Sequence, residues 1–214
     1  MSKTTLQQTA YELIKTRIIN CEYKPGEFLN TLELQDDFGF SRTPIREALG
    51  RLEQENLVKF YHKKGFAVSD VSLATISTIY ETRLLIEPHI VVNYGELVNK
   101  AKIERMRALF QAGVNCENND VNLHMGYDDE FHQLIRSVCP NVYLVQVLSN
   151  IDAQAQRVRI ISGYYGSKLQ KLCQEHLEIA ERILADEYLP AGKLMHRHLV
   201  RARKNAFLAP SLNR

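Results

Sequence analysis

The sequence has no tryptophan, only ten glycines and six prolines, and four cysteines in 214 residues. So little Gly and Pro in a chain that is 45% apolar and 24% charged excludes collagen-like and low-complexity architectures. Disorder is set aside as well, because this composition can bury a core. Cys21, Cys116, Cys139 and Cys173 form no C-x-x-C pair and keep no regular spacing, which excludes a disulfide framework and suits buried thiols in a reducing compartment. Apolar runs of the ~18 residues a membrane helix needs are missing. The opening stretch MSKTTLQQTAYELIKTRIIN is interrupted by polar residues where a secretion signal has an apolar centre. The expectation is a cytoplasmic protein with no membrane partner. Charge of one sign is also lacking: 27 Lys and Arg against 25 Asp and Glu leave a formal +2, so any polyanion site is local.

What is present is helical periodicity. Leu6, Tyr11, Leu13, Ile14, Ile18 and Ile19 recur at roughly three- and four-residue steps and predict a helix over 6–19, ended by Lys24-Pro25-Gly26. A short helix follows at 32–38, stopped by Gly39. A third runs over 42–55, capped by Ser41 or Thr43 with Pro44 in its first turn. Asn56 tolerates the left-handed conformation. Then the β-prone runs 57–61 and 66–68 flank His62-Lys63-Lys64-Gly65 and predict a hairpin. Beyond Ser72 no strand signal occurs. A long helix is predicted from Leu73 to about Leu97, kinked at Pro88, followed by helices near 100–114, 121–137, 142–161, 168–185 and 190–208. The fold class is mainly α: an N-terminal winged helix-turn-helix over 1–71 and a C-terminal all-helical bundle of about six helices over 72–214. Residues 68–72 contain no Gly/Ser/Pro run, so the connection is expected to be short.

A helix stopped by Gly39 and a helix opening Arg42-Thr43-Pro44-Ile45-Arg46 satisfy helix-turn-helix geometry, in which the second helix enters the major groove amino end first. Arg42 and Arg46 share one face, where guanidinium forks can read the O6 and N7 edge of guanine. Ile45, Ala48, Leu49 and Leu52 lie opposite, toward the first helix. From Ser41 to Gly65 six Lys and Arg face three Glu, a local excess of three. The bland alternative is a solvated basic helix face. However, Ser41-Arg42-Thr43-Pro44-Ile45-Arg46-Glu47-Ala48-Leu49, with Arg51-Leu52-Glu53 and Leu57-Val58, resembles the signature of the GntR family of bacterial winged-helix repressors. That resemblance implies that Arg42, Thr43 and Arg46 contact bases and backbone of double-stranded DNA, and that Lys64 and Gly65 bring the wing to the minor groove. Asn56 stands where the family usually has Gly, and Leu32 where fatty-acid-responsive members carry a base-contacting Arg.

Asp128 and His132, four apart on a helix, project from one face and can hold two positions of a metal site. His176 lies eleven residues before Glu187 and His198 eleven after it. An antiparallel helix pair folded at 186–190 therefore sets both imidazoles at one height. The alternative is that these are core or surface histidines; His62, His89, His124 and His196 are read that way. Asp128-x-x-Phe131-His132, Glu175-His176 and His198 are similar to FCD, the ligand-binding domain of the FadR branch of the same family, here in its six-helix, VanR-like form. Glu81-Thr82-Arg83 with Glu87-Pro88 resembles its opening helix. The resemblance implies a divalent metal held by Asp128, His132, His176 and His198, with Zn, Ni and Mn as the candidate ions.

Open positions on such an ion suit a small organic acid effector, with Arg83 and Arg159 as candidate anchors, although a helix-buried Arg equally pairs with Glu81 or Glu87. The expectation is a ligand-responsive, operator-binding homodimer that acts by repression, and not an enzyme. No Gly-rich phosphate loop and no nucleophile motif occurs. Two other readings use the same residues: a helical-bundle metalloenzyme with a winged interaction module, or a bundle that only dimerises.

Overall fold

The computed structural model describes residues 5–115, 120–163 and 168–209, so Cys116 lies outside them. By tertiary contacts the chain divides into two units: 1–72 with 152–160, and 73–151 with 161–214.

In the first unit, helix α1 (Leu6–Ile19) starts where the Thr5 hydroxyl accepts the Gln8 amide at 3.2 Å. It ends at Asn20, before the predicted Lys24 stop, because Cys21 turns left-handed with φ 58°. Asn30 caps α2 (Thr31–Phe38), and Gly39 closes it with φ 69°, a conformation that costs a residue with a Cβ about 1 kcal/mol or more. Helix α3 (Arg42–Gln54) buries Ile45, Ala48, Leu49 and Leu52 against Ala10, Tyr11, Ile14 and Ile18 of α1. Asn56 adopts φ 57°, as its side chain allows, and turns the chain into β2 (Val58–Tyr61) and β3 (Gly65–Val68).

One element corrects the two-stranded wing: Phe28–Leu29 forms β1, pairing with Ala67 and Phe66 of β3, so the antiparallel sheet has the order β1-β3-β2. Residues 152–160 belong to this unit through real bonds. Gln154 donates to the Asn56 carbonyl at 2.6 Å, and the fully buried Arg157 donates to the Ser69 carbonyl at 2.6 Å and to Gln154 at 2.8 Å. Ala153 packs on the same core.

Among its described residues the second unit consists of helices and short connections, with no strand. It comprises α4 (Leu73–Tyr94), a 3-10 turn at Gly95–Leu97, α5 (Lys100–Val114), α6 (Val121–Arg136), α7 (Val142–Ile161) apart from the stretch given above, α8 (Leu169–Leu184) and α9 (Tyr188–Phe207). Helix α4 runs unbroken past Pro88. The main packing pairs are α4 on α9, α5 on α8 and α8 on α9. Close approach of α9 to α4 requires Gly192, since a Cβ there would sit 2.4 Å from Val92 Cγ2 and 3.2 Å from the Pro88 carbonyl. Cys139 and Cys173 are buried and Cys21 partly so, all as free thiols.

Candidate functional site

At the amino end of α3, Ser41 takes the extended cap position, but its hydroxyl makes no hydrogen bond to the helix. The expected Ser or Thr side-chain cap is therefore absent, and the helix end keeps its attraction for an anion. Pro44 and Ile45 point into the core while Arg42, Thr43 and Arg46 are exposed. Neither Arg42 nor Arg46 is held by any hydrogen-bond or ion-pair partner among the described residues. Lys64 is exposed at the hairpin tip, between Lys63 and Gly65, whose φ angles of 66° and 91° make the tight turn. Arg51, counted with this basic face in the sequence, does something else. Its guanidinium lies 3.7 Å from the Tyr11 ring centre and donates to Gln8, while Tyr11 and Lys15 converge on Glu55.

In the second unit, α6 supplies Asp128 and His132, α8 supplies His176 and α9 supplies His198. One potential ligand atom from each lies within 4.8 Å of all the others, and all four residues are buried. Each imidazole is oriented from behind. His132 Nδ1 is 2.5 Å from Glu87 Oε2, His198 Nδ1 is 3.0 Å from Glu175 Oε2, and His176 Nδ1 is 3.1 Å from the Leu172 carbonyl. Carboxylate and carbonyl oxygens only accept, so each Nδ1 carries the proton and each Nε2 is left with a lone pair. Two of those lone pairs face each other, His176 Nε2 and His132 Nε2 at 3.4 Å, with Asp128 Oδ1 3.1 Å from the former. Converging lone pairs with a carboxylate among them repel unless a cation lies between, so the donor set fits a divalent metal. Phe110 stacks on His176 with ring centres 4.8 Å apart and keeps that side dry.

Burial is the first cause that holds the His132 imidazole down, to about 4, aided by the Arg83 charge and opposed by Glu87 and Asp128. Burial also lowers His198, with the neighbouring His176 adding to it. For Glu87, burial acts upward but is overridden by Arg83 and His132, which hold the carboxyl below its usual range. Glu175 is likewise kept low against its burial by His198 and Arg201. Neutral imidazoles and ionised carboxylates are the forms that ligate a metal.

Of the predicted effector anchors, Arg83 is buried and donates to Glu87 at 2.6 Å. Arg159 is buried in the 152–160 stretch that groups with the first unit. The sequence offered Glu87 as a partner for Arg83 and as part of the opening-helix motif, and Glu175 only inside a motif. Their service behind His132 and His198 had no periodic signal. His124, read as structural, is buried beside Cys173 with Nδ1 3.5 Å from its sulfur.

A winged head with a free Arg pair, followed by a helical unit enclosing a polar cluster, defines the class of helix-turn-helix transcriptional regulators. Residues 6–68 match the family model of bacterial regulatory proteins, gntR family, and residues 78–201 match the FCD domain; the chain belongs to the GntR family, with an FCD domain as its C-terminal part. It is 29% identical over 182 residues to YdhC of Bacillus subtilis strain 168, named an uncharacterized HTH-type transcriptional regulator, covering 81% of this chain and 78% of that one. To the HTH-type transcriptional repressor RspR of Escherichia coli K12 it is 24% identical over 195 residues, covering 91% and 86%. To the gluconate operon transcriptional repressor of Bacillus licheniformis it is 25% identical over 190 residues, covering 87% and 75%. Among solved structures, a GntR regulator from Rhodococcus sp. RHA1 superposes with TM-score 0.81 at 18% identity, covering 94% of this chain and 97% of that one. E. coli McbR/YncC superposes with TM-score 0.79 at 18% identity, covering 95% and 97%. The protein is thus a transcriptional regulator and not an enzyme, and no helix among its described residues is long and apolar enough to cross a membrane.

Proposed function

We propose that this regulator is a repressor that binds a pseudopalindromic operator as a homodimer, and that a divalent metal with a small carboxylate effector in the FCD domain controls it. Two of the relatives above carry repressor names. Arg42, Thr43 and Arg46 take bases and backbone in the major groove while Lys64 and Gly65 carry the wing to the minor groove; the free guanidinium heads of Arg42 and Arg46 support that assignment. A single small head reads too few base pairs to be selective in a genome, which calls for two.

The observation that carries the sensing half is the convergence of Nε2 lone pairs beside Asp128. Asp128, His132, His176 and His198 would hold the metal, Zn, Ni and Mn being the ions that suit them. When bound, it supplies residual positive charge and open positions for an effector carboxylate. Arg83 is the guanidinium anchor offered for the other end of the acid. Arg83 shares its unit with the cluster and stands behind it on Glu87.

A thermal-shift screen of small organic acids, with and without added metal, tests the reading. A bound ligand raises the melting point by mass action. The expected result is an acid whose shift requires metal and which changes gel-shift affinity for sites upstream of the protein's own operon. Metal-free protein after chelator-free purification, with no acid response, would refute it.

A further inference from the structure

Two grooves run along the α8–α9 pair, and they differ in charge. The larger is lined by Glu178, Glu181 and Glu187 against Arg182, Lys193 and Arg197, and it is matched by the pairs Arg182–Glu187 and Arg197–Glu178, so it calls for no ion. The other, about 310 Å³, lies between the first turns of α8 and the last turns of α9, where Lys168, Lys171, Arg201 and Lys204 surround Glu175 and Asn205. Four cations against one carboxylate leave a local +3, more than the net charge of the whole chain.

That one carboxylate is already used. Glu175 Oε1 accepts from Arg201 at 2.7 Å while Oε2 accepts from His198. Lys168 is steered to the groove by Asn205 at 2.8 Å, and Lys171 and Lys204 have no partner among the described residues. Lys168, at the amino end of α8, makes no side-chain cap to the helix. Stabilisation of the α9 carboxyl end accounts for Lys204 but not for the other three.

We propose that this groove binds a small phosphate-bearing anion and that Arg201 and Glu175 relay its presence to His198. A phosphoryl group between Lys171 and Lys204 reaches the half-exposed Arg201 guanidinium and shares its donors. Glu175 then concentrates its charge on His198 Nδ1–H, which makes Nε2 a stronger metal ligand. The relay rests on the metal reading above; the anion site does not.

The test titrates the full chain, as purified and after chelation, with inorganic phosphate and with a sugar phosphate at constant ionic strength, read by melting temperature and calorimetry. Saturable binding that chloride does not reproduce is expected, weakened at least tenfold in the double variant Lys171→Ala/Lys204→Ala, which leaves the Arg201–Glu175–His198 chain intact. The tighter of the two probes identifies free phosphate or a phosphate ester as the ligand. Equal responses of wild type and variant, or a response that chloride matches, overturn the site. For the relay, metal affinity by competition with a chromophoric chelator should rise about fivefold on adding phosphate to wild type and stay constant in the double variant. An unchanged metal affinity with phosphate bound overturns the relay alone. Absence of metal binding overturns the relay together with the metal reading, and leaves the phosphate titration to stand by itself.

Discussion

Arg46 and Arg51 carry the same charge on the same helix and do different work. Arg51 is spent on Tyr11 and Gln8 inside its own unit, whereas Arg46 has no partner among the described residues. Arg46→Ala is therefore expected to cost about 1–3 kcal/mol of operator affinity, by fluorescence anisotropy, with no change in melting temperature. Unaltered binding to a cognate site would remove Arg46 from the interface. The same distinction between a group and its supports applies to the histidines. Their spacing was legible because 3.6 residues per turn and a helical hairpin dictate which side chains meet. The carboxylates behind them were not, because nothing in the spacing of Glu87 and Glu175 ties them to His132 and His198 until the helices pack. Glu87→Gln should weaken metal binding about 10–100-fold while the four ligands remain. In chelator-treated protein, His132 stays neutral in the fold down to about pH 4 but protonates near 6.5 when unfolded. Between those values the unfolded chain binds more protons, so stability falls as pH is lowered through the window, on the order of 3 kcal/mol over its full width. Urea melts from pH 7 to pH 4.5 would check this, and His132→Asn should flatten the slope.

Helices were the easier elements to read. The apolar period of α1 and the Asn56 and Gly39 turns had strong local causes. Strand β1 had none, since two residues carry no alternation and Phe28–Leu29 becomes a strand only because β3 offers a free edge. Helix contacts depend on shape that composition does not reveal. At Gly192 the missing side chain is what lets α9 lie on α4, and the obstructing atom belongs to Val92, a stiff β-branched residue, with a backbone carbonyl on the other side. Gly192→Ala is expected to destabilise by about 1–3 kcal/mol in denaturant titration, and Val92→Ala in the same chain should restore part of it. Full stability in the single variant would show that the helices yield.

For the molecule as a whole, chain order and structural grouping disagree at one place. Residues 152–160 form the carboxyl half of a helix that begins in the other unit, yet they group with the N-terminal unit, where Arg157 and Gln154 satisfy the carbonyls of Ser69 and Asn56. No sequence pattern announced this, because a fully buried arginine looks like a surface residue in a periodicity count. Arg157→Ala should lower stability by about 2 kcal/mol or more, by calorimetry, since it takes the donor from the half-buried Ser69 carbonyl and empties the space of a fully buried side chain. This arrangement constrains engineering and descent alike. A hybrid regulator spliced at residue 72 would join its new reading head to a foreign nine-residue strip, so exchanging sensors within such a lineage takes two matched grafts and not one crossover.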